Sequence, residues 1–245
     1  MDQVFAEDEN FADGLVRIEG GEYRHLKNVL RKKIGDEIRI CRRSGGAYLC
    51  LIEEINDEAI FARIEDMEDD YAELPCRIVL FQGLPKGDKM ELIIQKAVEL
   101  GAFEIVPVAM KNCVVKLDEK RAAKKVSRWQ SIAEAAAKQS KRSLLPQVHD
   151  IMPFSLALDY AKELDRLFLP YEHARGMQET KEVFSQLQKG ESAGIFIGPE
   201  GGYDPREIQE AAEVGRVISL GGRILRTETA GLTALSILMY HIELL

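Results

Sequence analysis

Ala193-Gly-Ile-Phe-Ile197, Gly198-Pro-Glu-Gly-Gly202 and Asp204-Pro-Arg-Glu207 follow one another as a buried strand, a glycine-rich turn and the start of a helix. The first run is short, apolar and rich in β-branched and aromatic residues, as in a strand covered on both faces. Asp204 is expected to cap the helix, Pro205 fits its first turn, and Glu207 completes a capping box. A strand entering a helix through such a turn is the repeating unit of α/β folds. In open sheets of that class, ligands sit at the carboxyl ends of the strands.

The same order recurs on either side. Downstream, Val217-Ile-Ser-Leu220 reads as a strand, the residues after it as a loop, and 228–244 as the closing helix. Upstream, Ile78-Val-Leu-Phe81 is a strand, and Asp88-Lys-Met-Glu91 reads as a second capping box. The helix it opens is predicted to bury Met90, Ile93, Ile94, Ala97 and Leu100 and to stop at a left-handed Gly101. Glu104-Ile-Val-Pro-Val108, a helix over Val126–Lys138, and Arg166-Leu-Phe-Leu169 continue the alternation. The expectation is an α/β domain with a mostly parallel sheet.

The first seventy or so residues differ. One helix near Tyr23–Arg31 is set among short strands: Glu37–Arg42, Ala47–Ile52 and Ala59–Ile64, punctuated by Ser44-Gly-Gly46 and the Asn56-Asp-Glu turn. This reads as a meander. The acidic stretch Glu65–Asp70 and Glu73-Leu-Pro75 mark the boundary, giving domains 1–73 and 74–245.

The chain has 245 residues, 46% hydrophobic, enough for an ordinary core. Cys41, Cys50, Cys76 and Cys113 form no Cys-x-x-Cys pair, and no histidine stands at ligand spacing, so neither disulfides nor a metal are expected. Without a signal sequence or a membrane-length apolar run, the expectation is a cytoplasmic protein with no membrane partner. A net charge of −8 argues against a general nucleic-acid binder. Its distribution is uneven, however. Arg24–Arg43 carries eight bases, including Lys27, Arg31 and Lys32, against two acids, and Lys111–Arg142 is a second basic stretch that includes Lys116. Each is either a solvated face or a grip on an RNA backbone.

Gly198–Gly202 alone is either plain turn geometry or a cradle that lets the backbone approach a ligand, with Pro199 stiffening it. In Leu220-Gly-Gly-Arg-Ile-Leu-Arg-Thr-Glu-Thr-Ala-Gly231, Thr227 or Thr229 could cap the last helix. Capping leaves Arg223, Arg226, Ile224 and Leu225 without a purpose. Two arginines beside an apolar pair suit a ligand with a flat apolar part next to an anion, such as an adenosine-containing cofactor facing RNA. There is no G-x-x-x-x-G-K-[ST], and no G-x-G-x-x-G between a strand and a helix, which excludes the commonest ATP and NAD cradles. Gly83-Leu-Pro-Lys-Gly-Asp-Lys89 reads as a strand-to-helix turn whose Lys86 and Lys89 either touch RNA or are solvated. His25, His149, His173 and His241 occur singly, and no hydrolytic triad is indicated.

The ordered set His25-Leu-Lys-Asn-Val-Leu-Arg31, Ile34-Gly-Asp-Glu37, Gly83–Met90, Lys96–Gly101, Arg128-Trp129, Ala135–Arg142, Gly198–Gly202 and Arg223–Ala230 spans nearly the whole chain. It resembles the bacterial 16S ribosomal RNA uracil-N3 methyltransferases of the RsmE type, in the SPOUT (trefoil-knot) superfamily. The resemblance implies a PUA-like RNA-binding β-barrel before a knotted α/β methyltransferase domain, in a homodimer that acts on 16S rRNA within the 30S subunit with S-adenosyl-L-methionine. It implies cofactor contacts from Leu169, from Gly198, Pro199, Glu200, Gly201 and Gly202, and from Leu220, Gly221, Ile224, Leu225 and Arg226, with Thr229 and Ala230 nearby. The N3 proton must leave, so a base or a cation stabilising the uracil anion is required. Arg226 is the candidate cation or RNA anchor, and Glu200 and Glu228 are candidate bases. Glu228 also has an ordinary reading as an acid at a helix start. RNA contacts are expected from His25, Lys27, Arg31, Lys32, Lys86 and Lys116, with Gln139 and Arg142 positioning the target nucleotide or ending a helix. One departure stands out: the family begins with an arginine before an aromatic pair, and this chain has Gln3-Val4-Phe5.

Overall fold

The computed structural model describes residues 1–69 and 71–244; Asp70, the last acid of the boundary stretch, and Leu245 lie outside the described residues. The chain forms two compact units, 1–73 with 137–145, and 74–136 with 146–245.

The first unit contains β1 (Gln3–Ala6), β2 (Phe11–Ala12), β3 (Leu15–Ile18), α1 (Gly20–Arg24), β4 (Glu37–Arg42), β5 (Ala47–Ile55) and β6 (Ile60–Glu68). The expected helix starts earlier than Tyr23 and widens into a π-helical turn over His25–Val29. The strands form one sheet in the order β1-β4-β5-β6-β3-β2. It is a mixed sheet, because β1 pairs with β4 in parallel, and so it is more than the meander the spacing predicts. Val4, Val16, Ile18, Leu26, Ile38, Ile40, Ile52 and Ile60 form its core, each at most 1% exposed. At the β5–β6 turn, Asn56 Oδ1 accepts from the amides of Glu58 and Ala59, the local bonding for which asparagine is favoured in turns.

Residues 137–145 belong with this unit through buried polar contacts. Gln3 Nε2 donates to the Arg142 carbonyl at 2.7 Å, and Arg39 Nη1 donates to Gln3 Oε1 at 2.6 Å and to the Lys141 carbonyl at 3.0 Å. Gln3, where the resembling family has arginine, is 7% exposed and serves as an internal tie.

The second unit contains β7 (Arg77–Gly83), α2 (Lys89–Glu99), β8 (Glu104–Ala109), most of α3 (Glu119–Gln139), β9 (Gln147–Val148), β10 (Met152–Pro153), α4 (Phe154–Ala161), β11 (Arg166–Pro170), α5 (Met177–Phe184), β12 (Ser192–Ile197), α6 (Pro205–Ala212), β13 (Arg216–Ile218) and α7 (Thr227–Ile242). Its strands are ordered β10-β8-β7-β12-β11-β13, with β9 beside β8, and every pairing is parallel. Helix α7 packs on α2 and on β12, α4 on β8, and α5 on β13. The apolar runs at β7, β8 and β12 are buried on both faces, as parallel strands between helices must be.

The two predicted capping boxes fare differently. At α6, Asp204 accepts from the Arg206 amide and Glu207 reaches back to the Asp204 amide. At α2 no side-chain cap forms: Asp88, at φ −99° and ψ 12°, lacks the extended backbone of a capping residue, and the Glu91 carboxylate is engaged by Arg128 at 2.7 and 2.8 Å. Gly101 does end that region with φ +87°, while Val98 rather than Leu100 fills the last buried position. Neither Thr227 nor Thr229 caps α7. Its N-cap is Arg226, and the Thr227 hydroxyl is turned inward.

Candidate functional site

The carboxyl ends of β11, β12 and β13 open onto a cleft of about 620 Å³, a size common for small-molecule sites. Pro170, Tyr171, Glu172, His173 and Arg175 line it after β11, Ile197 to Glu200 with Gly202 and Tyr203 after β12, and Leu220 to Thr227 with Ala230 after β13. Lys89 joins from the start of α2.

Most of the predicted cofactor residues therefore converge: Gly198, Pro199, Glu200, Gly202, Leu220, Gly221, Ile224, Leu225, Arg226 and Ala230 share one wall system. Leu169 is fully buried within β11, one residue before the lining, and Gly201 and Thr229 are exposed outside it.

The glycine loop is held from behind by residues that sequence reasoning missed. Asn112 Nδ2 donates to the carbonyls of Gly201 and Gly202 at 3.1 and 3.3 Å, and Lys111 pairs with Asp204 at 2.6 Å. Gln82, fully buried at the end of β7, donates to Thr227 Oγ1, and Thr227 in turn donates to the Gly198 carbonyl. The signal for Gln82 was present: a lone amide closing an apolar strand run is costly to bury unless it bonds to something.

The three candidate catalytic residues differ in their surroundings. Arg226 is exposed, and its guanidinium has no hydrogen bond or ion pair among the described residues, as is also true of Arg223. Glu200 accepts from the Lys86 amide at 3.0 Å and from Lys89 Nζ at 2.8 Å. Partial burial alone would raise its pKa, but the Lys89 ammonium and the backbone amides outweigh burial and hold it below the usual carboxylate value. A carboxylate kept ionised in this way is a weak proton acceptor. Glu228 stands in the first turn of α7, and its buried Oε2 accepts no hydrogen bond, with Lys89 Nζ at 3.5 Å. Lys89, for which the sequence left RNA contact or solvation open, is instead hydrogen-bonded to Glu200 and ion-paired with Glu228, and this raises its own pKa, chiefly through Glu200.

The predicted RNA residues fall into two groups. His25, Arg31 and Gln139 on the first unit, and Lys86 and Lys116 on the second, are exposed, and their side chains have no partner among the described residues. Lys27 is held by Tyr23 and the Asn56 carbonyl, and Lys32 by Asp2 at 2.9 Å. Arg142 is 2% exposed and grips Glu73 at 2.6 and 3.1 Å. In the basic stretch around α3, Arg121 pairs with Asp118, Arg128 with Glu91 and Lys138 with Glu22.

Among the described residues no cluster could hold a metal ion, no helix is long and apolar enough to cross a membrane, and all four cysteines are buried.

A model of the RNA methyltransferase domain matches residues 72–239, and a model of the RNA methyltransferase PUA domain matches residues 18–65. An RNA methyltransferase carrying a PUA domain is thus the class that sequence, fold and cleft define. The chain belongs to the ribosomal RNA small subunit methyltransferase E family. It is 40% identical to that methyltransferase of Bacillus subtilis over 93% of this chain and 91% of the relative. The crystal structure of a hypothetical protein, 37% identical, matches with a TM-score of 0.91 over 99% of both chains. Ribosomal RNA small subunit methyltransferase E from Neisseria gonorrhoeae, bound to S-adenosyl methionine, is 32% identical and matches with a TM-score of 0.81 over 97% of this chain and 96% of that one.

Proposed function

We propose that this chain methylates N3 of a specific uridine in 16S ribosomal RNA, with S-adenosyl-L-methionine as donor, and that it acts in the cytoplasm as a homodimer on the 30S subunit. The observation that carries the reading is the cleft itself, in which Ile224, 86% exposed, stands between the unpaired Arg223 and Arg226 above glycine backbone. An apolar side chain so exposed beside unpaired cations is explained by a ligand that is flat and apolar at one end and meets an anion at the other.

The residues present fit the donor. Gly198, Gly202 and Gly221 offer backbone without a Cβ, and Leu220, Leu225 and Ala230 offer apolar contact for an adenosyl group. Bound there, the donor supplies an electrophilic methyl group on a sulfonium. The chain's own task is positioning, the main source of acceleration in such displacements. Arg226 orients the RNA or stabilises the uracil anion as the N3 proton leaves. Glu200 is committed to Lys86 and Lys89, so Glu228 is the better candidate to accept that proton. His25, Arg31, Lys86, Lys116 and Gln139 are the proposed RNA contacts. The trefoil knot is proposed for the C-terminal part of the chain, and its support is that β13 pairs with β11 while α7 returns onto β12 and α2. Dimerisation is supported by apolar surface on these helices, with Leu92 and Tyr240 at 45% and 68% exposure, and by Leu244 just past α7 at 70%.

Incubation with labelled donor and unmethylated 30S subunits, followed by mapping of modified nucleosides, tests the reading. Label on uracil N3 is expected. Label on a ribose 2′-oxygen would overturn the base assignment, and tight RNA binding without transfer would make the chain an assembly factor. Sedimentation at several concentrations tests the dimer.

A further inference from the structure

We propose that Glu172 is a specificity-determining residue, selecting the positively charged sulfonium of the donor over the neutral thioether of the spent product. The inference rests on the cofactor reading above.

Glu172 lies two residues past β11 and lines the cleft. The turn that carries it is fixed by main-chain bonds, Tyr171 N–H to the Ile218 carbonyl at 3.1 Å and Ala174 N–H to the Tyr171 carbonyl at 3.0 Å. Arg175, the nearest arginine in sequence, spends its Nη1 on the carbonyls of Glu172 and Ala174 and makes no bond to the Glu172 carboxylate. Among the described residues, the basic side chain that approaches that carboxylate is His173, with Nε2 at 3.8 Å, beyond hydrogen-bond reach. The carboxylate instead lies against the glycine loop: a side chain at Gly202 would begin 3.3 Å from Glu172 Oε1.

The other carboxylate in the lining, Glu200, is already compensated by Lys89. Glu172 is therefore the lining carboxylate that no lysine or arginine compensates among the described residues, in a cleft whose Arg175, Arg223 and Arg226 likewise have no acidic partner. Opposite charges left unpaired in one cleft match a ligand that carries both signs. Donor and product differ there by one formal positive charge, which an acid can read.

Calorimetric titration of the full chain with S-adenosylmethionine and with S-adenosylhomocysteine, for wild type, Glu172→Gln and Glu172→Asp, tests this. Wild type is expected to prefer the charged ligand. Glu172→Gln should shrink that preference by about fivefold, through weaker S-adenosylmethionine binding at unchanged S-adenosylhomocysteine affinity, and Glu172→Asp should retain most of it. Added salt should lower the wild-type preference and leave that of Glu172→Gln unmoved. Equal weakening of both ligands, or an unchanged ratio in a variant that melts like wild type, overturns the proposal. Wild-type protein that binds neither ligand overturns the cofactor reading itself, a separate outcome.

Discussion

Gln82 Nε2 donates to Thr227 Oγ1 at 2.9 Å, and the same hydroxyl donates to the Gly198 carbonyl at 2.7 Å, so one threonine joins the end of β7, the start of α7 and the glycine loop. Gln82 is fully buried and Thr227 is 6% exposed, while Gly198 is half-buried. Thr227→Val keeps the shape but takes the donor from the Gly198 carbonyl and leaves Gln82 Nε2 with the Gly83 carbonyl alone, at a cost of about 1–3 kcal/mol. Urea denaturation should show that loss together with a raised Kd for the donor, and Thr227→Ser should restore both. Unaltered donor affinity in Thr227→Val would mean that the loop does not depend on this link.

Gly83 stands where no side chain fits. A Cβ there would lie 2.7 Å from Pro199 N, 2.8 Å from Pro199 Cδ and 2.9 Å from Met110 Sδ. Gly83→Ala must push the loop at Pro199 or the strand end, with an overpacking cost of about 1–3 kcal/mol. Thermal melting should report it, and donor binding should weaken more than stability alone accounts for.

Glu104 opens β8 and accepts from Arg77, Tyr160 and His149, the last at 2.7 Å. Burial works to raise its pKa, but these three partners overcome it and bring the carboxyl down to about 2, while burial and Glu104 push Tyr160 up to about 12. A carboxyl with a depressed folded pKa stabilises the protein fully above its unfolded value, near 4.5, and loses that contribution as pH falls toward 2. Denaturation midpoints measured from pH 5 to pH 2 should therefore fall more steeply for wild type than for Glu104→Gln. Parallel curves would remove Glu104 from the acid response.

Arg142 is expected to matter for stability ahead of RNA affinity. Arg142→Ala removes a buried partner of Glu73 and should cost about 3–5 kcal/mol, whereas Arg31→Ala should leave the melting temperature in place and weaken RNA binding in a salt-dependent way. Glu73→Gln added to Arg142→Ala should recover part of the loss. An Arg142→Ala protein that melts normally but binds RNA poorly would reverse this assignment.

Much of the second unit was legible in the sequence, because parallel strands show as apolar runs and the glycine turns mark where they end. The convergence of Gly198–Gly202 and Leu220–Arg226 followed from their common place after strands. What escaped depends on pairing across long stretches of chain. Glu91 looks like a capping residue until Arg128, 37 positions on, is seen to hold it. The parallel pairing of β1 with β4 leaves no turn signal, since no hairpin joins them. Arg142 and Lys89 read as surface bases because residue type does not reveal that Glu73, Glu200 and Glu228 stand opposite them. Tyr171 and Glu172 lacked any motif of their own and were found through the cleft.

The ties from Gln3 and Arg39 to the carbonyls of Lys141 and Arg142 also bear on synthesis. A ribosome delivers residues 1–73 long before residue 145, so the early segment leaves the exit tunnel with Arg39 and Glu73 still lacking their later partners. The nascent first unit must wait through more than sixty residues of the second before it can close. A fragment ending at residue 73 is accordingly an unfinished unit, and expression boundaries drawn there would yield a less stable, more protease-sensitive product than the full chain.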